Sequence, residues 1–317
     1  MNMNPKFVYL VRTAIFSIAW ACFVVPATHA DTINVLVPAY GNPCCDGGPN
    51  MWSQLLTTAA SPNRNFALHV IFNPASGPGT VREPNYLNSS GVGPLAAVRN
   101  AGAVIHGYVA TSYGNRDINL VKAEIDQYLL NAQMYQGFVD GIFFDEMSSD
   151  LADVGYYREL ANYVNQQLPT ALTFGNPGTY FIENPSGQTA FNAADFANVF
   201  DTLMMFENTG AEYLNNYTAP TYLGFRNADG FAHAIHTQAN WDASLLALAA
   251  SRKAGFLYVT DDPFLTAGQN PWDTLSSYWP AFVNDLNQFN AIPEPSAGSA
   301  WVAVAVMVGR RNRKRTR

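Results

Sequence analysis

The stretch Gly141-Ile142-Phe143-Phe144-Asp145-Glu146 sets an unbroken apolar run directly before two adjacent carboxylates. Such a run reads as a strand buried on both faces, as in a parallel sheet. Two carboxylates fixed at its mouth cost desolvation and need a compensating role. Working outward, seven more apolar, β-rich runs appear: Ile33–Tyr40, Phe66–Pro74, Ala103–Thr111, Ala171–Pro177, Asn198–Glu207, Phe231–Thr237 and Gly255–Asp262. Helix-like segments separate them. Met51–Ala60 follows the first run and Pro94–Gly102 precedes the third. Asp117 is placed to cap a helix whose Ile118, Val121, Ile125 and Leu129 share one apolar face. Asp153–Leu168 follows the fourth run. Trp241–Gly255 precedes the eighth, with Gly255 as its stop residue. Pro271–Phe289 closes the body and is expected to be broken by Pro280, while the connection around 211–225 is the least regular. Strand and helix alternating eight times predict a single (β/α)8 TIM-type barrel over 31–292. An open doubly wound sheet is the competing architecture, but no glycine-rich dinucleotide fingerprint follows the first strand.

The ends of the chain read differently. Residues 1–30 combine Lys6 and Arg12, an apolar stretch and Thr28-His29-Ala30, the pattern of a secretory signal cleaved after Ala30. An N-terminal membrane anchor is the alternative. Residues 293–317 hold Pro293-Glu294-Pro295, a short apolar segment and a basic end. That apolar segment is shorter than the roughly 17–25 residues of a spanning helix. The tail resembles the PEP-CTERM sorting signal of exopolysaccharide-producing bacteria, which implies an exosortase-type enzyme as a processing partner, while the leader implies signal peptidase. The resemblance also implies transient membrane association through the tail, and a place outside the cell or on its surface. A plain C-terminal anchor is the alternative reading.

Removing both ends leaves a body with 9 basic and 23 acidic residues, net −14. That charge repels nucleic acid and anionic lipid and attracts cationic ligands. Cys44 and Cys45 are the body's only cysteines, so the fold is not disulfide-scaffolded; they are either two thiols or a small-ring bridge.

In a barrel of this kind the active site lies at the carboxyl ends of the strands. Nearly every run here ends on a polar or aromatic residue: Tyr40; Asn73; Tyr108 and then Tyr113; Asp145 and Glu146; Asn176; Glu207 and Asn208; Thr260 and Asp261. Tyrosine faces suit sugar rings, and asparagine and threonine hydrogen-bond hydroxyls. Glycoside hydrolysis needs two carboxyls flanking one bond. Asp145, Glu146 and Glu207 are therefore the candidate catalytic residues, with no division of roles. Tyr40, Asn73, Tyr108, Tyr113, Asn176, Asn208, Thr260 and Asp261 are candidate substrate contacts. Alternation along a strand points neighbours to opposite sides, so Asp145 and Glu146 share the site only if the strand has already opened into its loop. Each acid also has a structural alternative: one of the pair as a cap or ion-pair partner, Glu207 as part of the core, and Asp261 with Asp262 capping the last helix.

No cofactor or metal is expected. His69 and His106 fall inside predicted strands and are assigned to the core, and His233 and His236 carry no HExxH pattern. No G-x-S-x-G elbow is present either.

These pieces together resemble spherulation-specific family 4. The match is carried by VLVPAYGNP from Val35, VIFNPASGPG from Val70, the tyrosine-, glycine- and arginine-containing segment Gly107–Arg116, GIFFDE, FGNPG from Phe174, FEN from Phe206, and YVTDD from Tyr258 followed by Asn270-Pro271-Trp272. The resemblance covers the body from Val35 to Trp279. It implies a (β/α)8 barrel and endo-acting cleavage of α-1,4-linked N-acetylgalactosamine in an extracellular amino-sugar polysaccharide. The family's acids fall on Asp145, Glu146 and Glu207. Cys44-Cys45-Asp46 departs from the family pattern and is expected to enlarge or restyle the first loop. A non-catalytic carbohydrate-binding or matrix protein on the same barrel is the alternative function.

Overall fold

The computed structural model describes residues 32–291, apart from 46, 131, 180–194, 265 and 267 and the side chains of 221 and 222. The signal and tail readings lie outside the described residues. Eight strands run parallel and close in sequence order: β1 (Asn34–Ala39), β2 (Leu68–Phe72), β3 (Val104–Ala110), β4 (Gly141–Asp145), β5 (Leu172–Gly175), β6 (Thr202–Thr209), β7 (Phe231–His236) and β8 (Phe256–Val259). β8 pairs back onto β1 at Asn34↔Phe256 and Val35↔Leu257, which removes the sheet edges. The helices between them are α1 (Gly48–Ala59), α2 (Pro94–Asn100), α3 (Ile118–Leu129), α4 (Val154–Gln167), α5 (Gly210–Asn215), α6 (Ser244–Ser251) and α7 (Trp279–Ala291). This is the (β/α)8 barrel that the alternation of runs predicts.

Local chemistry accounts for these boundaries. Asp117 caps α3 by accepting from Asn119 N at 2.8 Å, and Val121, Ile125 and Leu129 are buried beneath it. Two expectations fail at helix ends. Pro280 does not break the last helix; it lies in the first turn of α7, where a missing N–H costs nothing. Gly255 does not stop α6. The helix ends at Ser251, and Lys253 makes the left-handed reversal with φ of 64°. Gly255 is required for a different reason. A Cβ there would lie 2.3 Å from Ala228 O, so only glycine lets the two backbones approach.

The barrel interior is filled, not hollow. His69, His106, Phe174 and Phe256 form a plug of rings with centroids 4.6–6.1 Å apart. His69 Nδ1 and His106 Nε2 are hydrogen-bonded at 2.8 Å. Burial pushes the His69 pKa down to about 4 and holds His106 well below its usual range, so both are neutral at physiological pH. They belong to the core, as their strand positions suggest. Gly141 makes room for this pair, because a Cβ would sit 2.7 Å from His106 Nδ1. This packing fills the lower half of the barrel, beneath the mouth formed by the carboxyl ends of its strands.

Candidate active site

Register carries one residue from each of several strands to the inside of that mouth. Tyr108 pairs with Phe143 and Ala110 with Asp145; Phe143 in turn pairs with Phe174. With His106 and Phe174 known to face inward, alternation brings Tyr108, Asp145 and Asn176 to the interior, one layer above the plug.

Glu207 needs an additional device. Met204 pairs with Ala232, yet Phe206 pairs with His233, so one residue is inserted in β6 at this point. Plain alternation from Met204 would turn Glu207 outward toward the helices. The bulge resets the parity, places Phe206 against Tyr213 and Tyr217 outside the barrel, and lines Glu207 up with Ala234.

Asp145 and Glu207 then meet through one side chain. Asn176 Nδ2 donates to Asp145 Oδ1 at 2.9 Å and to Glu207 Oε2 at 2.6 Å. The two acceptor oxygens are therefore at most about 5.5 Å apart, the reach of both bonds laid end to end. The amide cannot be flipped, because its Oδ1 accepts from Gly178 N at 3.0 Å. Its backbone is pinned as well, by Asn176 N to Phe144 O at 2.8 Å and Met147 N to Asn176 O at 2.8 Å.

Glu146 follows the strand in a left-handed conformation, φ 48°. The strand has thus already ended at Asp145, which is the condition for both acids to stay near the mouth. A left-handed non-glycine residue is strained and persists only when its surroundings hold it. Here Thr111 Oγ1 donates toward Glu146 O (2.8 Å) and Asp145 O (3.1 Å), and Tyr113 N donates to Glu146 O at 2.6 Å. Tyr157 Oη lies 2.9 Å from Thr111 Oγ1 and accepts from Ser148 N at 2.7 Å, closing a buried network behind the turn. Glu146 is near enough for its charge to be felt at Asp145, Tyr108 and Arg116. Arg116 itself is occupied, bidentate on Glu124 at 2.5 and 3.0 Å and donating to Ala110 O.

The two central acids differ electrostatically. Burial, and then the charge of Asp145, push Glu207 up to about 7; only Asn176 opposes this. Burial also raises Asp145, but three groups favour its anion: the Glu146 backbone N–H, the Tyr108 hydroxyl and Asn176. Of the two, Asp145 is the better solvated by protein dipoles and Glu207 the readier to hold a proton. Both residues are half-buried, and Glu207 borders a cavity. Tyr40 stands edge-on to Tyr108 with centroids 5.6 Å apart, and burial raises both phenols far above their ordinary value, so they stay protonated.

The other sequence candidates are placed as follows. Tyr113 is 58% exposed on the rim. Asn208 borders a cavity beside Glu207. Asn73 closes its own turn, accepting from Gly77 N at 3.0 Å. Thr260 is fully buried, and its hydroxyl accepts from Asp262 N. Asp261 accepts from Ser277 N at 2.9 Å and from the Ser277 hydroxyl, and so ties down the lead into α7. These last three hold loops together. Cys44 and Cys45 are joined in a disulfide in the exposed β1–α1 loop.

Sequence reasoning missed the Thr111–Tyr157 network and a group beyond Glu207. His236, Phe264, Asn270 and Trp272 line the cavity, of about 390 Å³, that Glu207 and Asn208 border. His236 was legible in principle, since Ala232, Ala234 and His236 alternate onto one face of β7.

Comparison with known proteins agrees with this frame. A curated relative, Spherulin-4 of Physarum polycephalum, is 28% identical over 263 residues, covering 80% of this chain and 70% of that relative. A crystal structure of Sph3 from Aspergillus clavatus, solved in complex with GalNAc, superposes with a TM-score of 0.60 at 22% identity, covering 81% of this chain and 98% of that one. That likeness bears on the fold. The sequence model described as "Spherulation-specific family 4" matches residues 34–286, and on that coverage the chain belongs to spherulation-specific family 4.

Proposed function

We propose that this protein is an exported glycoside hydrolase acting on an extracellular hexosamine-containing polysaccharide, cutting within chains of α-1,4-linked N-acetylgalactosamine or galactosamine. The observation that carries this reading is Asn176 donating to Asp145 and Glu207 at once, which holds two unlike carboxyls across one gap. Nearest oxygens at most about 5.5 Å apart favour a double displacement with retained configuration over the wider spacing of an inverting pair.

In this mechanism Glu207, protonated near neutral pH, gives its proton to the glycosidic oxygen. The Asp145 carboxylate attacks the anomeric carbon from the opposite face, forming a glycosyl ester as the leaving sugar departs. Glu207, now ionised, takes a proton from water, which attacks the ester and frees Asp145. Glu146 supplies a second negative charge beside the cationic transition state. Tyr40 and Tyr108 offer the aromatic wall of the cleft, and Tyr113 stands at its rim. The signal-like start and the PEP-CTERM-like tail support placement at a bacterial cell surface or matrix, with signal peptidase and an exosortase-type enzyme as partners.

The test incubates the purified barrel with defined α- and β-linked hexosamine oligomers and sizes the products. Shortened products from the α-linked series, absent with Glu207→Gln, are expected. Undiminished cleavage by Glu207→Gln, or none by the parent protein, defeats the proposal.

A further inference from the structure

The Cys44–Cys45 disulfide takes no part in the chemistry proposed above. It also contributes little to stability. A disulfide removes freedom from the unfolded chain in proportion to the loop it closes, and joining neighbours closes a ring around a single peptide bond. Both residues are exposed, so the sulfurs do not fill the core either. What they present to solvent is a bond that thiols can reach.

That bond sits in a tight turn. Cys45 N donates to Asn42 O at 3.1 Å, and Cys44 N donates to Asn42 Oδ1 at 3.0 Å. Cys45 O accepts from Gly48 N, at the start of α1, at 3.0 Å. Both flanks of the turn are anchored without the sulfurs. Gly41 O accepts from the buried Trp52 indole at 2.9 Å and from the buried Tyr86 hydroxyl at 3.4 Å. Gly41 also lies so close to the β8–α7 loop that a Cβ would come within 2.2 Å of Asp273 O. Tyr40 N donates to Trp272 O at 2.9 Å, and Met51 N donates to Gly47 O at 3.0 Å. The disulfide ring therefore constrains the turn from Asn42 to Cys45, while Tyr40 stands behind the Gly41 anchor.

We propose that Cys44–Cys45 is a reversible thiol-exchange site on the rim of the barrel, opened by small uncharged or cationic thiols while the fold and Tyr40 stay in place. A thiolate attacks one sulfur, the S–S bond breaks, and its electron pair leaves on the other sulfur, which takes a proton. A second small thiol resolves the mixed disulfide. The small thiols end as an external disulfide, and the cysteines end as reduced thiols. The body's net charge of −14 disfavours the approach of an anionic thiol. Once the ring is open, the hydrogen bonds at Cys45 N and Gly48 N lose the constraint on the residue they share. The proposal does not depend on the hydrolase reading.

The experiment treats the native protein with cysteamine or with 2-mercaptoethanesulfonate, alkylates, and reads Cys44 and Cys45 peptide by peptide. Neither cysteine should be alkylated before thiol is added, and both should be afterwards, without denaturant. With each rate taken relative to a capped, oxidised Cys-Cys peptide, cysteamine should lead by about threefold or more at low salt, and the lead should shrink at high salt. Opening should move Tm by less than about 2 °C. Hydrogen exchange followed by NMR should quicken by about tenfold or more at the Cys45 and Gly48 amides and stay unchanged at Tyr40 and Met51. A variant carrying both Cys44→Ser and Cys45→Ser should show the fast exchange at residue 45 and Gly48 without any thiol. Cysteines already free in the untreated protein, opening only in denaturant, no lead for cysteamine, a larger fall in Tm, or exchange that is unchanged at Gly48 or quickened at Tyr40 overturns the proposal.

Discussion

Glu207→Gln should make the folded protein more stable while removing its activity, and by an amount that depends on pH. The Glu207 carboxyl sits at about 7 in the folded state, against an ordinary 4.5, because burial and the Asp145 charge both penalise its anion. The folded state thus holds this proton more tightly than the unfolded chain does. Stability is fully present below about pH 4.5 and is lost as pH rises through about 7. A shift of that size, at 1.36 kcal/mol per unit, corresponds to about 3 kcal/mol at pH 8. Glutamine keeps an acceptor for Asn176 and carries no charge, so it escapes the penalty. For a domain of this size the gain is about 6–10 °C in Tm. Thermal melts of parent and variant from pH 4 to pH 8 read it directly. The curves should coincide near pH 4 and separate steadily toward pH 8. An offset that is constant with pH, or a variant less stable at pH 8, would refute the claim that Glu207 carries the burial penalty.

Other outcomes follow from the same geometry. Asn176→Ala removes a donor from both carboxylates at once; at about 1.5–3 kcal/mol for a hydrogen bond to a charged group, kcat/KM should fall at least 100-fold. Its residual activity should peak at higher pH than the parent's, because both acids lose a group that holds them down. Thr111→Val leaves the Asp145 and Glu146 carbonyls and the Tyr157 hydroxyl without their shared partner and should cost about 1–3 kcal/mol in urea unfolding, with Thr111→Ser restoring it. Activity of the parent protein should decline as pH rises through about 7, where Glu207 gives up its proton, and a flat profile to pH 9 would remove Glu207 as the acid. Proton NMR of freshly cleaved α-linked oligomer should show the α-anomer first, and first appearance of the β-anomer would contradict the double displacement.

The architecture was legible in the chain because it rests on short-range pattern. Eight apolar runs, each buried on both sides, alternate with amphipathic segments, and that arithmetic closes a barrel without knowledge of any contact. The polar ends of those runs pointed to the mouth for the same reason, and Tyr40, Tyr108, Asp145, Asn176 and Glu207 do gather there. Asn73, Thr260 and Asp261 end their runs just as visibly, yet the first two close turns and the third ties down the lead into α7. Composition at a strand end does not tell a residue that meets a ligand from one that ties down its own loop.

What the chain decided by itself is the set of chemical groups and the strands that carry them. Tertiary structure alone decided which way they point and what they feel. An inserted residue between Met204 and Phe206 turns Glu207 inward, and no periodicity reveals a bulge until β7 lies beside it. The left-handed turn at Glu146 stands because Thr111 and Tyr157, from two other segments, pay its strain. The unequal proton affinities of Asp145 and Glu207 come from counting the dipoles around each. Solvation and orientation are sums over neighbours distant in sequence, and those neighbours exist only once the barrel has closed.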